Sequence, residues 1–219
     1  MPINTKYIES FQENEFMHVI CRAVGLNVLF RNDDNKSWFI KQYIHYLSPY
    51  VDTYCYCLLD NHVHWLIKCK SALSLSQYIN SIIQKDRKKH QQDYIENKIS
   101  FEQAVEFQFK DFFISYAKAF NKKYNRYGAL FVNPFRRINV RDRNHLIQLI
   151  VYIHANPVKH KLTSEFTNND FASYQSLISN NETWLKKEEV IGWFEGKESY
   201  IDIHNKFVSY YYINKFAME

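Results

Sequence analysis

A chain of 219 residues can bury a sizeable core, and its 28 Lys and Arg against 23 Asp and Glu leave a net charge of +5. That balance leans towards a polyanionic partner but includes no polybasic tail. No run of about 18 apolar residues occurs and Met1 to Glu15 lacks an apolar signal core, which argues against a spanning helix or a secretory leader and gives the cytoplasm as the expected location.

Phe16 to Val24 is apolar and β-branched, a predicted opening strand that Gly25 interrupts. Asp33 and Asp34 are expected to cap a helix whose stripe is Trp38, Phe39, Tyr43, Ile44 and Leu47, and Pro49 stops it. Val51 to Leu59 alternates, with Val51, Thr53, Cys55 and Cys57 on one face and Asp52, Tyr54, Tyr56 and Leu58 on the other. Asp60-Asn61 is a tight turn into a second strand, Val63 to Lys68, so the two runs form an antiparallel hairpin. Ser74 to Ile83 and Ala104 to Tyr124 have helical patterns. The charged run Lys85 to His90 between them is expected to be a solvated helix end or loop.

Phe135 to Val140 is the next predicted strand. Asp142 or Asn144 then caps a helix with the stripe Leu146, Leu149, Ile150 and Ile153, on which Tyr152 rides. Pro157 disfavours helical geometry at Asn156, so the helix is expected to end or kink there. Trp184 to Phe194 and Tyr200 to Tyr212 predict two further helices, with Gly192 and Gly196 near the break. The pattern fits an α+β sandwich, helices on an antiparallel sheet. Cys21, Cys55, Cys57 and Cys69 lack CxxC spacing and are expected to be free, buried thiols of a reducing compartment. The 17 Tyr and 17 Phe are expected mainly to fill the core, with some free to stack on unpaired bases.

Two motifs carry chemistry. His62 and His64 flank one apolar residue where the second hairpin strand begins, so they share a face and can share one cation. A structural pair would look the same. Tyr152 and Asn156 lie one helical turn apart and project from one side. Asn156 can donate its amide oxygen to a hard cation, or simply cap the helix end. His154 is two positions from Tyr152 and should face elsewhere; it, His18, His45, His145 and His160 are read as structural. A histidine pair, a phenol and an amide suit metal-assisted phosphoryl transfer with tyrosine as the attacking group.

Three blocks resemble a known family: Met17-His18-Val19-Ile20-Cys21-Arg22; Tyr56 through Asp60-Asn61-His62-Val63-His64 to Ile67; and Ser115-Tyr116 through Pro134-Phe135-Arg136-Arg137 to Tyr152-Ile153-His154-Ala155-Asn156-Pro157-Val158. Their order is similar to that of single-tyrosine transposases of the HUH class (His-hydrophobic-His), most of all the REP-associated branch. The likeness runs over residues 15–178, and Asp60 departs from it where the family usually has proline. It implies a ferredoxin-like HUH fold in 1–178 with a helical C-terminal extension in 179–219. It also implies a catalytic Tyr152, with His62, His64 and Asn156 holding magnesium or manganese. The partner would be single-stranded or hairpin DNA, cut and rejoined through a 5′-phosphotyrosine. Arg136, Arg137, Arg141, Arg143, Lys159 and Lys161 flank the motifs and are candidates to clamp phosphates. Homodimer and monomer both fit. Two other readings remain: a domesticated hairpin-DNA binder that does not need to cleave, and a metal-dependent hydrolase using water.

Overall fold

The computed structural model describes the backbone of residues 7–213 and, within them, the side chains of all but 168 and 207–213; residues 1–6 and 214–219, the outer ends of the two expected domains, lie outside the described residues. Four strands, β1 (Phe16–Arg22), β2 (Val51–Leu59), β3 (His62–Cys69) and β4 (Arg136–Val140), form one sheet in the order β2-β3-β1-β4. Every pairing is antiparallel. The helices are α1 (Asp33–Leu47), α2 (Ala72–Ser81), α3 (Lys89–Ile95), α4 (Phe101–Lys123), α5 (Arg143–Lys159), α6 (Tyr174–Ile178), α7 (Lys187–Trp193) and α8 (Lys197–Ile213). One helical crossover joins β1 to β2 and another joins β3 to β4, the ferredoxin-like arrangement that the family resemblance implied within the α+β class.

Side-chain direction on β3 divides the sheet into two faces. Trp65 stacks on Phe39 at 5.8 Å and on Tyr43 at 5.1 Å, and Phe39 meets Phe112 and Tyr116 of α4. That aromatic layer takes much of the buried Tyr and Phe, each ring contributing about 1.5–3 kcal/mol of burial. The other face takes α5, and α8 covers α5 in turn. Tyr200 and His204 of α8 are fully buried, as are Val190 of α7 and, at 1%, Phe194 just past its end. Among the described residues no helix is long and apolar enough to cross a membrane.

Several local expectations are corrected by hydrogen bonding. Asn32, not Asp33 or Asp34, caps α1, because its side chain accepts from the Asn35 N–H; the two aspartates sit in the first turn, where they face the positive helix end. The alternation expected along β2 fails after Thr53. Thr53 opposes Ile67 but Cys55 opposes Leu66, a bulge that turns Cys55 and Cys57 to the α5 face. The charged run 85–90 is a solvated helix end as expected, a 3-10 turn over Gln84–Asp86 leading into α3 at Lys89. All four cysteines are free and buried, and burial pushes the Cys21 and Cys55 thiols well up. The two-residue turn Asp60-Asn61 is present as expected, with Leu59 opposite His62.

Candidate functional site

Because Trp65 faces α1, the alternation of β3 sends His62 and His64 to the face beneath α5. Their ring centroids are 5.0 Å apart at 74°. Helix α5 starts on an Asp142 cap that accepts from the His145 N–H, and its stripe Leu146, Leu149, Ile150 and Ile153 is buried. This seats the Tyr152 ring edge-on to His64 at 5.8 Å and to His18 at 6.3 Å. Tyr152 is 1% exposed, so its hydroxyl lies in the protein rather than in a solvent cleft.

The helix does not end at Asn156. It runs through Pro157 to Lys159, closed by His160 N–H to the Asn156 carbonyl at 2.9 Å and Lys161 N–H to the Val158 carbonyl at 2.9 Å. Proline removes only one donor, and buried neighbours on both sides hold the last turn together. Asn156 is therefore inside the helix rather than its cap. Its Nδ2 donates to the Tyr152 carbonyl at 2.9 Å, and its Oδ1 is buried with no hydrogen-bond partner among the described residues.

The histidines are held from behind. His62 Nδ1 lies 2.7 Å from Asn61 Oδ1, which only accepts, so Nδ1 carries the proton and Nε2 is the lone-pair nitrogen of the ring. His64 Nδ1 lies 3.0 Å from His18 Nε2, and His64 Nε2 is buried with no hydrogen-bond partner among the described residues. If His64 donates to His18, its Nε2 also presents a lone pair, the usual arrangement behind a metal-bound imidazole. Burial, then the nearby His145, pushes His18 down to about 3. Burial, with His18, His62, His160 and Lys159 around it, holds His64 well below 6.5. His64 is thus uncharged at neutral pH.

No cluster of three or more His, Cys, Asp or Glu side chains able to hold a metal occurs among the described residues. With no carboxylate or thiolate beside the two imidazoles among the described residues, an amide oxygen such as the bare Asn156 Oδ1 has the chemistry of a third donor. The buried His64 Nε2 and Asn156 Oδ1, with no hydrogen-bond partner among the described residues, fit a small divalent cation, because an unsatisfied buried polar atom otherwise costs about 1–3 kcal/mol.

The six flanking cations are not gathered at one place. Arg137 is 5% exposed; its Nε donates to the Glu9 carbonyl at 2.6 Å and a guanidinium nitrogen lies 3.4 Å from Glu106, so it ties the N-terminal segment to β4. Arg143 donates to the Gly192 and Trp193 carbonyls, at 3.1 and 3.0 Å, and closes the end of α7. Arg136 stacks over Tyr7, while Arg141 and Lys161 are exposed. Lys159 is the one beside the cluster, its Nζ 5.2 Å from the centre of the Tyr152 ring.

Sequence reading left His18 and His160 outside the site, yet His18 props His64, and the His160 ring is 4.9 Å from His62. Only the β1–β3 register, with Ile20 opposite His64, could have revealed the first. His154 does face elsewhere, bonding His204 at 2.9 Å and Ser173 at 2.8 Å.

No protein-family profile matches the chain. No curated protein matches it either. Among solved structures it is similar to a REP-associated tyrosine transposase bound to a REP hairpin, with a TM-score of 0.52 and 10% identity over 78% of this chain and 84% of that one. At that identity the likeness is one of fold, and it agrees with the four-stranded antiparallel sheet packed by helices.

Proposed function

We propose that this chain cuts and rejoins single-stranded or hairpin DNA, as in DNA transposition, using Tyr152 as nucleophile. His62, His64 and Asn156 would hold magnesium or manganese. The observation that carries this reading is the Tyr152 ring set edge-on to His64, whose buried Nε2 has no hydrogen-bond partner among the described residues, with Asn156 and its bare Oδ1 one turn along the same helix. The fold shared with a hairpin-bound tyrosine transposase supports it.

A divalent cation supplies charge neutralisation on the phosphate, which otherwise repels an incoming oxygen. The protein does the rest. The packed α5–β3 interface limits the access of water, which would turn transfer into hydrolysis. The Tyr152 oxygen forms a bond to phosphorus as the bond to the 3′ oxygen breaks. The phenol proton departs and the leaving oxygen gains one. The products are a 5′-phosphotyrosine and a 3′-hydroxyl, and attack by another 3′-hydroxyl reverses the step without an external energy source. Lys159 brings positive charge to the same place.

The test is to incubate the protein with labelled hairpin DNA carrying single-stranded flanks, with magnesium or manganese, and run a denaturing gel. A slow-migrating adduct and a fragment with a free 3′-hydroxyl are expected. Cutting without an adduct would place the protein among water-using hydrolases. Tight binding without cutting would favour a hairpin binder, a second reading that the burial of Tyr152 makes concrete.

Replacing His62 and His64 together by alanine is expected to abolish divalent-ion binding, followed by calorimetry, along with cleavage. It should also cost stability, about 1–3 kcal/mol, because His18 loses its partner inside the core. Unchanged ion affinity in that variant would make the pair purely structural. The acid limb of the cleavage profile should lie below 6.5, since burial keeps His64 neutral well under that value.

A further inference from the structure

Arg22 ends β1 directly opposite His62. Residues so paired share a face, with Cβ atoms about 5 Å apart. Its side chain is exposed and makes no ion pair or hydrogen bond among the described residues. No carboxylate neutralises it, although it stands next to the strand end from which the histidines project.

Beyond Arg22 the chain enters a loop that runs beside the one following α4. Ala23 bridges Phe131, and the Val24 N–H donates to the Leu130 carbonyl at 3.0 Å. The first loop is also fastened to the β2–β3 turn, by Ala23 N–H to the Asn61 carbonyl at 2.8 Å and Leu29 N–H to the Asp60 carbonyl at 2.7 Å. Both loops are thus fixed at the end of the sheet where His62 begins. The second displays Tyr127, which is 86% exposed. Its backbone is braced from within, because the Arg126 guanidinium donates to Asn121 Oδ1 and to the carbonyls of Gly128 and Ala129. Gly128, at φ 83°, permits the reversal that this bracing needs. An aromatic ring left in water on a braced loop, near an unpaired arginine, combines the two things an unpaired nucleotide offers contacts for: a flat base and a charged phosphate.

We propose that Arg22 and Tyr127 form a landing surface for unpaired nucleotides adjoining the cleaved phosphate, Arg22 holding phosphate oxygens and Tyr127 stacking a base. The assignment rests on the DNA-cleaving reading above. A fully paired duplex hides its base faces, so the tyrosine selects single strands, whereas the arginine contributes charge to both.

Fluorescence anisotropy without divalent ions, so that nothing is cut, tests this with a short single-stranded oligonucleotide and a blunt duplex. Tyr127→Ala should weaken single-strand binding on the order of tenfold and leave duplex binding unchanged, and Tyr127→Phe should retain the wild-type affinity. Arg22→Gln should weaken single-strand binding and reduce the slope of log affinity against log salt by about 0.7. Both side chains are exposed, and melting curves of the variants should overlay the wild type. Wild-type affinity for the single strand in Tyr127→Ala and Arg22→Gln would overturn the proposal, as would an equal loss on duplex in Tyr127→Ala. A wild-type protein with no affinity for either DNA would instead remove the DNA reading itself, and this surface with it.

Discussion

Replacement of Tyr152 by phenylalanine is expected to eliminate the covalent adduct and all strand cleavage while DNA affinity stays within about twofold. The change deletes one oxygen and keeps the ring that packs edge-on to His64 and His18. Its cost to the fold is that of one buried hydroxyl, at most about 1.5 kcal/mol. Two rival tyrosines, Tyr116 and Tyr124, are separated from the histidines by the sheet itself. Tyr116 donates to the Leu29 carbonyl at 2.7 Å and Tyr124 to Asn35 Oδ1 at 2.7 Å; the first lies in α4 and the second caps it, on the face of the sheet opposite His62 and His64. Peptide mapping of the trapped adduct is the decisive measurement. DNA attached to Tyr116, Tyr124 or Tyr127 would defeat the assignment, and cutting that survives in the phenylalanine variant would show that water is the nucleophile.

Acid is expected to unfold this protein steeply, from below pH 6.5. Four histidines are buried in the neutral form: His18, pushed down to about 3, His204 to about 4, and His64 and His154 well below 6.5, in each case first by burial. Their hydrogen bonds demand neutrality. The His204 Nδ1–H donates to the Tyr200 carbonyl at 2.8 Å, leaving its Nε2 to accept from His154 Nδ1 at 2.9 Å. A proton added at the accepting nitrogen, His204 Nε2, sets two N–H groups against each other, and the accepting ring of the His18–His64 pair has the same weakness. These pKa values are depressed in the folded state, so the unfolded chain binds more protons once pH drops below 6.5. Stability is therefore full above 6.5 and lost as pH falls towards the folded values, by about 1.4 kcal/mol per pH unit for each histidine. Four together approach about 5 kcal/mol per unit, enough to consume a typical stability of about 5–15 kcal/mol within a few units. Urea titrations from pH 8 to 4.5 measure it directly. A midpoint that does not move between pH 7 and 5 would contradict the neutral-histidine networks.

Much of this architecture could be read from the chain. Periodicity located the four strands and the long helices, and the Asp60-Asn61 turn fixed the hairpin that puts both histidines on one face. What failed depended on tertiary pairing. The bulge after Thr53 has no marker in Val51 to Leu59, because either register buries apolar groups in a strand covered on both faces. Pro157 looked like a helix end, since local geometry alone disfavours the residue before it, but packing around Asn156 and Val158 outweighs that preference. Arg137 and Arg143 looked like phosphate ligands beside the motifs; their protein partners, Glu9, Glu106 and the end of α7, are distant in sequence. The role of His18 behind His64 likewise needs the strand order, which no local pattern encodes.

Helix α5 is enclosed on two sides. Tyr152 and Asn156 point to the sheet, while His154, about 200° around the axis from the tyrosine, is locked to α8 through His204. The tyrosine therefore cannot be lifted towards a bulky strand by sliding one helix alone, because leaving α8 behind would break the His154–His204 bond and bare Tyr200. Any motion that exposes it and keeps that bond would carry α5 and α8 together. If Tyr152 is the nucleophile, substitutions at Tyr200 or His204 of α8 would then alter how fast it becomes reachable without altering what it does on arrival.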